Sequence, residues 1–268
     1  MTTLFVSQTW LRYSHPDNAN NVKLKLLQHF LGEAAKGTTI HPAMDAELVY
    51  GKKLRIKPAQ LKTIGFVWFD IFSVPQADPV NQGKAIASLP AYVANAAFFL
   101  CLAGAWEHEN GSVRDYRAWH KRGWCRLEQL SNALGPSPKQ IILVQSRSDI
   151  CTYGARGITN YEWQHWPVGE GSFTVEADRA ALGPVVARLI DERMAARRAE
   201  GTEEGLRWYR MLHALRADLL RGMPIDVAPI PTLDEWLKHL GYITKSRNQV
   251  APEEAMMPVV MGSSGSGA

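Results

Sequence analysis

The sequence predicts an α/β protein: a parallel sheet with helices on both faces, followed by a C-terminal helical extension. Three observations carry this. Four short apolar runs, Thr3–Ser7, Gly65–Phe72, Phe98–Ala103 and Gln140–Gln145, alternate with segments of helical spacing, and such alternation builds parallel sheets. The run Gly65–Phe72 (GFVWFDIF) is apolar on both faces, as in a strand at the centre of such a sheet. Beyond residue 145 the strand-like runs stop, and two long amphipathic segments follow.

Each element has its own local signal. Thr3–Ser7 reads as a buried strand, and the polar cluster Ser14–Asn21 as the loop after it. Asn21 is the expected cap of a helix over Val22–Ala35, with Leu24, Leu27, Phe30 and Leu31 on its apolar side and Gly37 ending it. Residues 38–62 admit short helices near 44–49 and 58–62. Ser73-Val74-Pro75-Gln76 closes the second strand with a turn. Gly83–Ala97 reads as a helix interrupted near Pro90, and Val113–Leu134 as a helical region broken at Gly123. Pro136 and Pro138 precede the fourth strand.

In the C-terminal part, helices near 176–199 and 203–221 flank Gly201 and form an expected hairpin. A short amphipathic helix is expected at 232–240. The expected organisation is an α/β domain over residues 1–172, a helical extension over 173–243 and a disordered tail or linker over 244–268, which ends in Gly-Ser-Ser-Gly-Ser-Gly-Ala.

Composition narrows the function classes. Among 268 residues, 46% are hydrophobic and 21% charged, and the net charge is +4. That balance argues against a nucleic-acid or anionic-membrane partner. Cys101, Cys125 and Cys151 form no CxxC pair, and the eight histidines show no HExxH spacing, so neither a metal nor a disulfide framework is expected. No glycine-rich phosphate loop occurs. The absence of a signal-like N-terminus and of a long apolar stretch leads to the expectation of a cytoplasmic protein.

The C-terminal ends of parallel strands gather at one edge, where ligands bind. Residues Ser7–Trp10, Asp70–Gln76 and Gly104–Trp106 therefore mark the expected site. Ser7 offers a hydrogen bond and Trp10 a flat surface for a planar ligand. The same residues also suit a sheet-capping indole and a turn. Asp70, near the end of an apolar strand, needs a partner; it either ties down the following loop, with Ser73, or reaches a ligand. Trp124 and Glu128 are four residues apart, so they share a side of their helix. Glu128 is then a perturbed carboxylate at the margin of the buried face, half of an ion pair with Arg122 or Arg126, or part of a solvated helix face.

Three segments in this order resemble a TIR-like domain of the wider group that includes heterokaryon-incompatibility (HET) domains. Phe5-Val6-Ser7 resembles the opening TIR box. Trp68-x-Asp70-x-x-Ser73-Val74-x-Gln76 is similar to the HET pattern W-x-D-x-x-C-I-x-Q, with Ser73 in place of Cys. Gly123-Trp124-Cys125-x-x-Glu128-Gln129-Leu130 is similar to the TIR pattern W-C-x-x-E-L. The resemblance spans roughly residues 3–145. Gln129 shifts the leucine by one position, Val74-Pro75-Gln76 stands where a proline-glycine tip is usual, and no Phe-Trp third box occurs.

The resemblance implies a flavodoxin-like sheet and one of two functions. In the first, Glu128 is the catalytic carboxylate of an NAD+ glycohydrolase, and Ser7, Trp10, Asp70, Ser73 and Trp124 contact the substrate. NAD+ or a related nucleotide is then substrate, and no cofactor is implied. In the second, the domain is a non-enzymatic signalling module of innate-immunity type that self-associates through TIR-like surfaces or the helical extension.

Overall fold

The computed structural model describes residues 1–43, 55–153 and 162–225. The helices expected near 44–49 and at 232–240 and the tail 244–268 lie outside the described residues.

Strand β1 (Thr2–Gln8) pairs in parallel on both sides, with β2 (Ile64–Phe69) and β3 (Phe98–Leu102). Strand β6 (Ile141–Val144) adds in parallel to β3, and β7 (Ile150–Tyr153) adds antiparallel to β6. The order is β2-β1-β3-β6-β7, and a two-stranded ribbon of β4 (Trp106–Glu107) and β5 (Val113–Arg114) stands apart from it. The protein is thus mixed α/β with a mostly parallel five-stranded sheet.

The doubly apolar run at 65–72 is not central. Strand β2 lies at the sheet edge, Phe66 is 60% exposed, and the strand ends at Phe69. Period-two patterning reports which faces are apolar and says nothing of how many neighbours a strand has; the fully buried strands among the described residues are β3 and β6. Asp70 opens a single helical turn, α3 (Asp70–Ser73), after α2 (Pro58–Leu61) has led the chain into β2. Asp70 accepts from the Ile71 N–H at 2.8 Å, and the Ser73 hydroxyl accepts from the Phe69 N–H at 3.1 Å.

One face of the sheet is covered by α1 (Val22–Lys36). Its Leu26, Leu27, Phe30 and Ala34 pack on Leu4, Val6, Leu100, Leu102 and Val144. Asn21 occupies the left-handed region at φ 52° and makes no capping bond. The cap is Asp17, whose carboxylate accepts from the Lys23 and Leu24 N–H groups at 3.2 and 2.9 Å. An aspartate several residues upstream reaches the helix start because the loop folds back, a geometry that local sequence does not report. Gly37, at φ 98°, ends the helix by donating to the Glu33 and Ala34 carbonyls.

The other face carries Phe5, stacked on Trp68 at 4.3 Å and on Phe99 at 5.4 Å. Helices α4 (Pro79–Ala87) and α5 (Leu89–Asn95) meet at Ser88, close to the break expected at Pro90. Helices α6 (Tyr116–Lys121) and α7 (Gly123–Leu134) meet at Arg122. Ten of the twelve residues of α7 are buried, because α5, β1 and the C-terminal part all pack on it. Gly123 is required at its start: a Cβ there would lie 2.0 Å from the Phe173 ring.

After the short α8 (Glu162–His165), helices α9 (Ala177–Ala199) and α10 (Glu203–Leu219) form the expected hairpin about Gly201, at φ 63°. Thr202 caps α10 by accepting from the Gly205 N–H at 3.0 Å. Met1–Ile225 is one compact unit with α9 against α7, so the boundary expected at residue 172 falls inside it. Among the described residues, no helix is long and apolar enough to cross a membrane.

Candidate active site

The chain leaves β1 toward β2 on one side and later returns as β3 on the other, so the order reverses at β1. A crevice outside the C-terminal strand ends is the expected consequence. Ser7 and Gln8 are the last residues of β1, and Val6 is in register with Phe69, which places Asp70 beside them.

Successive strand residues point to opposite faces, and two polar networks follow from that. Toward α7, the fully buried Ser7 hydroxyl donates to Glu128 Oε2 and accepts from Trp119 Nε1 at 2.8 Å. The indole N–H can only donate, which leaves the serine proton for Glu128 Oε2. Toward α1, Gln8 Oε1 accepts from Lys23 Nζ at 3.1 Å while Gln8 Nε2 donates to Asp70 Oδ1 at 3.0 Å. Asp70 Oδ2 accepts from Trp10 Nε1 at 2.6 Å. The Cys125 thiol donates to the Gln8 carbonyl at 3.4 Å, tying α7 to the end of β1.

Burial dominates the electrostatics. Glu128 is 8% exposed. Its burial pushes the carboxyl up to about 8; the Ser7 bond opposes this, and the Asp70 charge adds to it. Resting Glu128 is thus largely protonated at neutral pH. Lys23 has no exposed surface, and its burial brings the ammonium down to about 8 against the attraction of Asp70, Cys125, Asp17 and Cys101. Burial also pushes the Cys101 and Cys125 thiols well up, so neither is a ready nucleophile. Among the described residues, no cluster of His, Cys, Asp and Glu is placed to hold a metal.

Of the residues singled out from sequence, Ser7 and Glu128 meet directly, and Trp10 and Asp70 meet directly. The ion pair open to Glu128 does not form: Arg126 donates to the His120 and Pro167 carbonyls, and Arg122 to Thr174. Trp124 turns its indole N–H to Asp178 of α9 at 3.0 Å, and Ser73 is engaged by the Phe69 backbone. Gln8 falls within the expected strand end Ser7–Trp10, whereas sequence reading missed Lys23 and Trp119 as partners. Lys23 had a signal: positions 23, 27, 30 and 34 share one helical face, and the other three are apolar and buried.

A recess of about 360 Å³ opens between α1 and the end of β2, lined by His15, Asp17, Leu24, Phe69 and Phe72, among others; Ser7, Trp10, Asp70 and Glu128 do not line it. Its size suits a small heterocycle rather than a polymer. Compared with family models, curated proteins and solved structures, the chain matches none of them.

Proposed function

We propose that this chain is a TIR-like domain of flavodoxin-like topology that hydrolyses NAD+ at the nicotinamide–ribose bond. The observation that carries the reading is the buried Glu128 carboxyl, held by Ser7 at the strand edge where Asp70 and Trp10 also meet. The strand order β2-β1-β3-β6 supports it.

Chemically, the bond from the ribose anomeric carbon to the nicotinamide nitrogen breaks, and its electron pair neutralises the charged ring. A neutral leaving group needs no strong general acid. The anomeric carbon becomes oxocarbenium-like, and water adds to it and sheds a proton. Glu128 holds the ribose hydroxyls and faces the developing positive charge. Arrival of the cationic nicotinamide favours the ionised carboxylate, so the proton held at rest leaves when it is needed. Trp10 stacks on the nicotinamide or the adenine, and Ser7 and Asp70 orient Glu128 and the indole.

The test is to incubate the full chain with NAD+ over a wide protein concentration range and quantify free nicotinamide. Release is expected from the wild type and none from Glu128→Ala. Unchanged turnover in that variant rejects the assignment.

A second reading, a self-associating module without catalysis, is favoured by one feature. Edge strand β2 (IGFVWF) carries no charge, and Phe66 and Val67 are exposed. Such an edge invites pairing. Concentration-dependent sedimentation without nicotinamide release supports this reading over the first.

A further inference from the structure

Lys23 is a buried cation that the chemistry above leaves without a role. Its ammonium donates to Gln8 Oε1 at 3.1 Å and lies 5.6 Å from the centre of the Trp106 ring. The charged or titratable groups facing it are Asp17 from the loop before α1, Asp70 at the end of β2, Cys101 on β3 and Cys125 on α7. Holding an ammonium there is costly, which raises the question of what the charge accomplishes.

The answer lies in the amide it touches. Glutamine has one accepting and one donating end, and the two are sterically interchangeable. An ammonium only donates, so Lys23 obliges Oε1 to face it. Nε2 must then face Asp70, where it donates to Oδ1 and leaves Oδ2 to the Trp10 indole. Without the ammonium, the Asp70 carboxylate still selects Nε2, but Oε1 loses its donor and the amide is no longer clamped at both ends.

We propose that Lys23 is a positioning residue: by anchoring the accepting end of the Gln8 amide it orients Asp70 and, through Asp70, the indole of Trp10 that receives the substrate ring. The identity of that ring rests on the NAD+ reading; the control of the indole does not.

The experiment uses the full chain labelled with 15N-tryptophan, with the Trp10 indole N–H signal identified by its loss in Trp10→Phe. From neutral to alkaline pH this signal is expected to shift with a midpoint near 8, as the Lys23 ammonium is lost. Glu128 titrates in the same range, so the shift is followed in two variants. It persists in Glu128→Gln and disappears in Lys23→Met.

Kinetically, Lys23→Met is expected to raise KM for NAD+ about five-fold with little change in kcat, because methionine donates no bond to Gln8 and the loss reaches the indole only through Asp70. Gln8→Glu provides a second route if Lys23→Met does not fold. It still accepts from Lys23 but cannot donate to Asp70, and it is expected to displace the Trp10 signal at every pH. A Trp10 signal that titrates identically in Lys23→Met, or stays in place in Gln8→Glu, overturns the proposal. If the wild type releases no nicotinamide while the signal behaves as expected, the NAD+ reading falls and the positioning role stands.

Discussion

Ser7 and Glu128, 121 residues apart in sequence, share a buried hydrogen bond in which the serine proton is directed by the Trp119 indole. The bond joins the end of β1 to the middle of α7, ten of whose twelve residues are buried. It fixes where the carboxyl stands and moderates how strongly burial suppresses its ionisation.

Ser7→Ala removes that moderation. The Glu128 carboxyl is expected to titrate at still higher pH, because the lost bond favours the ionised form. The rising limb of kcat/KM against pH then moves to the alkaline side. The Trp119 N–H loses its acceptor inside the core, which costs about 1–3 kcal/mol, measurable by urea unfolding.

Glu128→Gln separates stability from activity. The folded carboxyl titrates near 8 against an ordinary value of 4.5, so the native state retains a proton that the unfolded chain releases. Stability linked to this group is complete below about pH 4.5 and declines as pH rises through 8. The glutamine variant carries no such loss. It is expected to match the wild type in acid and to exceed it near pH 8 by about 4 kcal/mol, while releasing no nicotinamide. Equal stabilities at both pH values refute the buried-acid account.

Asp17, rather than Asn21, caps α1. Asp17→Ala is expected to lower stability by about 1–2 kcal/mol, since the Lys23 and Leu24 N–H groups lose their acceptor. Asn21→Gly is expected to be neutral or slightly stabilising, because glycine adopts positive φ without cost. Denaturant midpoints for the two variants distinguish the caps.

Gly123→Ala drives a methyl group into the Phe173 ring. An overpacking cost of about 1–3 kcal/mol is expected, with nicotinamide release reduced because α7 carries Glu128. Phe173→Ala in the same chain is expected to restore part of both.

The sequence by itself determined the alternation of strands and helices, the hairpin about Gly201 and the residue types that carry the candidate chemistry. Local spacing sets these: apolar period, proline and glycine punctuation, and a tryptophan and a glutamate four residues apart. Only the tertiary structure decided the rest. It made β2 an edge strand, gave Asp17 the cap expected of Asn21, turned Trp124 toward Asp178 and supplied Ser7 to Glu128 in place of an arginine. The physical reason is that partners of buried polar groups are chosen by which chain ends converge at the strand edge. That convergence depends on contacts between residues sixty to more than a hundred positions apart, which no local pattern encodes.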